Sequence, residues 1–275
     1  MSLTPPPIPA PQSPIDRVAP DLSLLALTAQ ATPEAPPLAL YVAAVDALVQ
    51  WQTQIPLEGK PSLQTATLLQ GLQGFSHSYL GIYRKSRLDA AAQKVVDTAF
   101  ATIAAQCQDW PTVPVHQSFT PAHLIQQVGE GIEFGVLAPA SAACGPVTYD
   151  IATLVRDPER VWDETFVLEV TIRYWERARK AGLPVGQDFG AFYRGMEWAG
   201  LLHHLTQAGQ LARDAEAAKA AGAQAASPAE LAGAPVLLHY ILATCSRYIE
   251  LKPLLRLIER IEGVESAGGY AFGRV

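Results

Sequence analysis

From residue 38 to about residue 262 apolar side chains return every three to four positions, and this spacing commits most of the chain to amphipathic helices. Tyr41, Ala44, Val45, Leu48 and Trp51 recur at i, i+3, i+4, i+7 and i+10 and so share one helix face. A second helix is expected from Pro61-Ser62 to about Gly74. A third is expected from Ser86, as N-cap, through Val95, Val96, Ala99, Phe100 and Ile103 to about Cys107. Farther on, Tyr149 to about Arg156 reads as a short helix, and Asp163 caps a longer one through Phe166, Val167, Val170 and Tyr174. Its stop signal is strong: Arg177, Arg179 and Lys180 stand at the negative pole, with Gly182 and then Pro184 beyond. Helices over 188–213, 235–249 and 253–262 complete the reading, with the Ala/Gly/Ser-rich stretch Ala215 to Ala234 taken as a loop.

The period shortens only between residues 113 and 137. Val113-Pro114-Val115, Leu124 to Val128 and Ile132 to Leu137 have strand character, and Gly129-Glu130-Gly131 supplies a turn between the last two. Ten of the 22 prolines fall within residues 1–40, where they remove amide donors and hold the backbone extended. Inside that segment Leu22-Ser23-Leu24-Leu25-Ala26-Leu27 is an apolar run suited to adding one strand or lying in a groove. The expected class is therefore mainly α (α+β), with a Pro-rich tail or surface strap over 1–37, a helical body with a small hairpin over 38–262, and a C-terminal tail over 263–275.

Composition narrows the functions. Hydrophobic residues make up 49% of the chain and charged residues 17%, enough for an ordinary buried core. A net charge of −6, with both signs mixed along the chain, argues against a nucleic-acid or anionic-membrane binder acting through bulk charge. Cys107, Cys144 and Cys245 are widely spaced and odd in number, which favours a reducing compartment and three small buried hydrophobes over a disulfide framework. No basic leader and no run approaching about 18 apolar residues is present, so a cytoplasmic location is expected.

Several motifs carry a family likeness: Tyr79-Leu80, Leu88-Asp89-Ala90-Ala91, Gly145-Pro146-Val147-Thr148-Tyr149-Asp150 with Leu154 and Arg156-Asp157, and the long block from Arg173 to Val185. Asp188-Phe189-Gly190, Glu197-Trp198-Ala199-Gly200 and His204-Leu205 continue it in register. Over roughly residues 38–260 the chain resembles the aminoglycoside phosphotransferase family, most closely the bacterial kinases of N-acetylmuramate and N-acetylglucosamine. The resemblance implies the C-terminal lobe of a protein-kinase-like fold.

Two departures accompany it. Active members read H-R-D-[YF]-x-x-x-N in the loop where the Asp orients or deprotonates the attacking hydroxyl and the Asn holds a metal ion. The aligned segment here is His116-Gln117-Ser118-Phe119-Thr120-Pro121-Ala122-His123, which puts Ser118 at the base position and His123 at the Asn position. The magnesium-binding Asp of the second motif aligns with Ala138. The resemblance further implies that His116 and Asp150 are scaffold for this loop, Asp150 accepting loop amides. The second departure concerns the sheet-rich nucleotide lobe with its phosphate-pairing lysine, expected to be largely absent: residues 1–37 contain no lysine, and no G-x-x-x-x-G-K-[ST] occurs anywhere.

These residues point to a catalytically degenerate, pseudokinase-like binding or regulatory protein with no cofactor. The rival is an active kinase of amino sugars or aminoglycosides that uses ATP and magnesium with rearranged ligands such as Asp150, Glu130 or Glu133, or one half of a split kinase. His204 matches a histidine near the acceptor sugar in the family and is the candidate for binding a small-molecule sugar, whereas Thr206 replaces a lysine and His203 an arginine there, which weakens any anionic-sugar site. His203 and His204, one helix step apart, diverge by about 100° and face different partners. Two minor readings are a zinc site from His116, His123, Cys107 and Cys144, and a Ser118 nucleophile served by His116 or His123. The five tryptophans are expected to pack the core, and the face left by a missing lobe to be covered either by the Pro-rich tail or by another chain, a homodimer or another partner protein.

Overall fold

The computed structural model describes residues 22–32, 34–129, 131–137, 142–221 and 233–264. Among them the chain is mostly helical, with two small antiparallel sheets. Helix α1 is a single turn, Leu24–Leu27, followed by α2 Leu38–Gln54, α3 Thr65–Gly74, α4 Ala90–Gln108, α5 Tyr149–Val155, α6 Glu164–Lys180, α7 Phe189–Ala220, α8 Ala234–Arg247 and α9 Lys252–Glu262. The strands are β1 Thr112–Val115, β2 Leu124–Gln126, β3 Phe134–Val136 and β4 Ala143–Pro146.

Helix α7 is the axis. Every residue from Gly195 to Leu205 is buried, so this stretch is enclosed on all sides, with α3, α4, α5, α6 and α8 packed along the helix. The sequence reading ended it near residue 213, but it runs to Ala220. Alanine, Glu216 and Lys219 are strong helix formers, and low complexity made of alanine extends a helix rather than breaking it. Residues 222–232 lie outside the described set.

The second expected helix also continues past its predicted end. Gly74 keeps helical angles, φ −57° and ψ −36°, and the chain proceeds from Phe75 to Tyr83 as a π-helix. Gly74 is needed for close approach to α7 rather than for a turn, which is why it is no stop signal. Helix α4 then starts later than expected: Asp89, not Ser86, is the N-cap, its carboxylate accepting from the Ala92 amide at 2.8 Å. Helix α6 begins and ends where its signals place it. Asp163 caps the Phe166 amide at 2.8 Å, and Gly182 takes the left-handed conformation at φ +81°.

Helices α2 and α6 pack with polar pins through their contact. The Trp162 indole donates to the Tyr41 hydroxyl at 2.7 Å and the Tyr174 hydroxyl to Gln52 at 2.7 Å, while Arg177 pairs with Asp46 at the rim. Trp162 and Trp198 are buried as expected, whereas Trp51, Trp110 and Trp175 are only half-buried. Cys107 and Cys245 are buried and Cys144 half-buried, none in a disulfide.

The hairpin pairs Leu124 with Val136 and Gln126 with Phe134. A second ribbon was not foreseen: β4 pairs with β1, Val113 opposite Gly145. Its residues Ala-Cys-Gly-Pro have little strand propensity. A Cβ at Gly145 would come within 2.8 Å of Leu63 Cδ1 and 3.0 Å of Val115 Cγ2, so a larger residue there would have to push those side chains aside. The apolar run at 22–27 is not the strand expected of it but a turn of helix that meets the sheet through one bridge. Ser23 bridges to Ile125 at the sheet edge, then caps α1, whose Leu24 is fully buried. Arg160 clamps that turn through the Leu25 carbonyl at 3.1 Å and the Thr28 hydroxyl at 3.0 Å. Residues 1–21 and 265–275, most of the two expected tails, lie outside the described residues. Among the described residues no helix is long and apolar enough to cross a membrane.

Candidate functional site

Strand β1 delivers the chain to a loop over 116–123 that is built on one carboxylate. Asp150, in the first turn of α5, is fully buried and accepts the His116 amide at 2.7 Å and the Gln117 amide at 3.0 Å. Gln117 adopts φ +67°, a left-handed conformation that non-glycine residues take only where the surroundings impose it. The two amide bonds to Asp150 supply that constraint. Burial pushes the Asp150 carboxyl up to about 7, against the opposing pull of the two amides.

His116 locks the other side of the loop. Its Nε2 meets the Leu137 carbonyl at 2.7 Å and therefore carries the proton, and its Nδ1 accepts the Ser118 amide at 3.3 Å. The Nδ1 contact, which accepts, requires neutral imidazole, and burial lowers the His116 pKa in the same direction. Thr153 holds the Phe119 carbonyl at 3.0 Å, and Phe119 is fully buried. The loop is thus a rigid, backbone-satisfied frame.

The reagent positions have a different character. Ser118 is exposed at the crest of the frame. His123 is half-buried, its Nδ1 within 2.9 Å of the Thr120 hydroxyl. Ala138 and Glu130 lie outside the described residues. Glu133 is exposed on the approach to β3, and Asp150 lies beneath the loop with both oxygens occupied. Magnesium prefers hard oxygen ligands in octahedral array. One hydroxyl, one imidazole and a sealed carboxylate do not fit it.

The minor readings fare poorly. His116 has both ring nitrogens engaged, Nε2 with the Leu137 carbonyl and Nδ1 with the Ser118 amide, so it has none left for the serine hydroxyl, and His123 turns its Nδ1 to Thr120. The proposed zinc ligands are not brought together: Cys107 is buried in α4, where burial pushes its thiol up to about 12, and Cys144 faces the Leu57 carbonyl. Among the described residues no group of three or more His, Cys, Asp or Glu side chains could hold a metal ion. His204 sits in the interior, its Nε2 at 2.9 Å from the Arg156 carbonyl and its ring stacked on Tyr240, rather than on the wall of a cleft. His203 turns to Tyr149 at 3.1 Å, so the two histidines do face different partners.

A polar cluster that sequence reasoning missed lies between α5, α6, α7 and α8. The buried Arg156 bonds Glu164 at 2.8 Å and stands 3.6 Å from Glu197; Arg247 bonds Glu164 at 2.9 Å and also pairs with Glu197. Tyr193 donates to Glu164, and Tyr248 to Glu197. The arginines hold the Glu164 carboxyl down at about 2 despite its burial. Arg156 and Glu197 fall in motifs that carried the family likeness, but nothing in their spacing showed that they meet.

Buried ionisable groups make a pH prediction. Burial pushes His203 down to about 4 and His204 to about 3, so their contribution to stability is present above about 6.5 and lost as pH falls through those values. Asp150, at about 7, and Asp157, raised to about 6 by burial, act oppositely: each favours the fold more at low pH, with the gain setting in as pH falls below its folded value. The two pairs nearly cancel, and unfolding free energy is expected to vary little between pH 4.5 and 7. Asp150→Asn removes one compensating proton, so its stability should fall by a few kcal/mol more than the parent's over that window, measured by urea titration at each pH. A parallel pH profile in the variant would show that Asp150 titrates normally.

The family model described as "Phosphotransferase enzyme family" matches residues 17–189. An N-acetylmuramate/N-acetylglucosamine kinase of Neisseria meningitidis serogroup B is 35% identical over 231 residues, covering 82% of this chain and 65% of that protein. A protein of the same name from Pseudomonas putida is 30% identical over 232 residues, covering 81% and 63%. The chain therefore spans a little under two thirds of the length of these curated relatives. Among solved structures, the GDP complex of wild-type aminoglycoside 2'-phosphotransferase-IIIa aligns with a TM-score of 0.49 at 14% identity, covering 78% of this chain and 64% of that one. A Plasmodium vivax ethanolamine kinase aligns with the same score and identity, covering 80% and 61%.

Proposed function

The chain belongs to the phosphotransferase enzyme family, and from that premise we propose that it is a non-catalytic member, a binding or regulatory module that keeps the family's loop frame without its reagents. The observation that carries this reading is the state of Asp150. It is the one carboxylate built into the 116–123 loop among the described residues, and both its oxygens are taken by backbone amides. Ser118 at the base position has a hydroxyl too weakly basic to activate an alcohol, and His123 at the metal position offers an imidazole where magnesium prefers oxygen.

What such a frame binds is a small sugar, a second copy of the chain or another protein, and no nucleotide or metal ion is needed for it. A second reading is favoured by the 35% and 30% identities to proteins named as N-acetylmuramate/N-acetylglucosamine kinases: an active amino-sugar kinase with rearranged ligands. One experiment separates them. Incubation of the purified chain with magnesium-ATP and N-acetylmuramate, N-acetylglucosamine or an aminoglycoside is expected to yield no phosphorylated sugar above the enzyme-free control, and magnesium-ATP is expected to leave the melting temperature unchanged. Sustained phosphorylation of any of these sugars would overturn the non-catalytic reading.

A further inference from the structure

Helix α6 carries two apolar faces where its packing in the fold uses one. Phe166, Val167, Val170, Tyr174 and Ala178 are buried against the rest of the chain. Leu168, Ile172 and Trp175 recur at i, i+4 and i+7 and form a second stripe, which Thr165 begins one turn earlier; the four positions share an arc of about 80°. Leu168 is 37% exposed, and Ile172 and Trp175 are half-buried. Along one edge the stripe widens into an aromatic row, with ring centroids 5.6 Å apart from Trp175 to Phe189 and 5.9 Å from Phe189 to Tyr193. Along the other edge stand Glu169, Arg173, Glu176 and Lys180. A surface helix needs one apolar face to fold, so the second is left over, and an apolar surface with a polar rim marks a place of association.

Charge and symmetry decide what covers it. The helix starts on acid, Asp163 and Glu164, and ends on base, Arg177, Arg179 and Lys180. Ile172 is the middle residue of Glu164–Lys180, with Leu168 and Trp175 on either side of it. Turned end for end, the stripe therefore complements itself: Ile172 meets Ile172, Leu168 of each copy falls opposite Trp175 of the other, and the acidic start of one helix faces the basic end of its neighbour. Parallel pairing would set like charge on like. We propose that this stripe is an isologous homodimer interface, with α6 packed antiparallel on the α6 of a second copy about a two-fold axis near Ile172. The helix dipoles oppose each other favourably in that arrangement. Arg179 is already held over the Trp175 ring at 4.5 Å and bonded to Gln187 at 2.8 Å, so part of the basic end is in place before the copies meet. The interface uses no residue of the 116–123 loop and is independent of what that loop binds.

Sedimentation equilibrium of the full chain should show a concentration-dependent species of twice the 29.5 kDa chain mass. The double variant Leu168→Glu with Ile172→Glu should sediment as a monomer while keeping the parent's helical circular dichroism, because neither side chain is buried. Lys180→Glu, an exposed change that carries no risk to the fold, should raise the dissociation constant several-fold, and added salt should narrow that difference. The register is read by oxidative cross-linking: Ile172→Cys should give a covalent dimer, whereas Thr165→Cys and the parent, with its half-buried Cys144, should not. A parent that stays monomeric at every concentration would overturn the proposal and leave the stripe to residues 1–21 or to a different protein. So would a Lys180→Glu chain that dimerises as tightly as the parent, a well-folded double variant that still dimerises, or Thr165→Cys cross-linking as readily as Ile172→Cys, which is the mark of parallel helices.

Discussion

Gly209→Val should leave a chain without a cooperative thermal transition, and even Gly209→Ala should cost about 3 kcal/mol, at the upper end of what overpacking does to a core. Gly209 lies on α7 where it crosses the junction of α3 and the π-helix. A Cβ there would come within 2.4 Å of the Gly74 carbonyl carbon, 2.6 Å of the Phe75 nitrogen and 2.8 Å of the Gly74 oxygen. All three are backbone atoms, so no side-chain rotation relieves the clash, and the helices must separate. Separation opens the packing of Leu72, Phe75, Leu205 and Ala208 together. The gain in helix propensity from glycine to alanine, about 1 kcal/mol, is too small to offset this. Denaturant melts of both variants check it. A Gly209→Val protein that unfolds cooperatively within about 1 kcal/mol of the parent would mean that the close crossing is not a constraint on the fold.

That crossing also explains where the sequence was legible. Periodicity located α2, α6, α8 and α9 because each has a more buried face and a more exposed one, and α6 had cap and stop residues as well. It failed at Gly74, since a glycine that ends a helix and a glycine that lets another helix approach are the same letter. It failed at β4 because Ala-Cys-Gly-Pro carries no propensity signal and is a strand only through Val113 and Leu63, far away in the chain. It overran at Ser86, where the true cap, Asp89, lay three residues on.

The loop at 116–123 was legible through motif alignment, which placed His116 and Asp150 beside it before any coordinates. The physical detail was not: that Asp150 takes two consecutive amides while Gln117 is held left-handed depends on how α5 docks under β1. For His204 the alignment pointed at a sugar, while the coordinates put the ring against Tyr240 and the Arg156 carbonyl. Residues on a buried face of α7 carry the same periodic signature whether they meet a ligand or a neighbouring helix, and only the path of α8 separates the two cases.

The same helix carries the second large effect. Glu197→Ala is expected to destabilise the chain by about 3–5 kcal/mol, the usual cost of removing one partner from a buried ion pair. The cluster of Arg156, Arg247, Glu164 and Glu197 is neutral as a whole, and Glu197 is 6% exposed while Arg156 is 4% exposed at the side chain. Deleting Glu197 leaves two guanidinium groups sharing the single carboxylate of Glu164, with one buried positive charge uncompensated and the Tyr248 hydroxyl without its acceptor. The paired change Arg156→Met with Glu197→Met restores neutrality, because Arg247 and Glu164 remain as a matched pair at the half-exposed rim. The double variant should therefore be more stable than Glu197→Ala alone, although it removes more native contacts. By contrast Glu169→Ala, which breaks the exposed Glu169–Arg173 pair, should cost less than about 1 kcal/mol. Urea titrations of the three variants settle the order. If Glu197→Ala were no worse than Glu169→Ala, or if the double variant were the least stable of the three, the stability of this region would rest on packing rather than on charge balance.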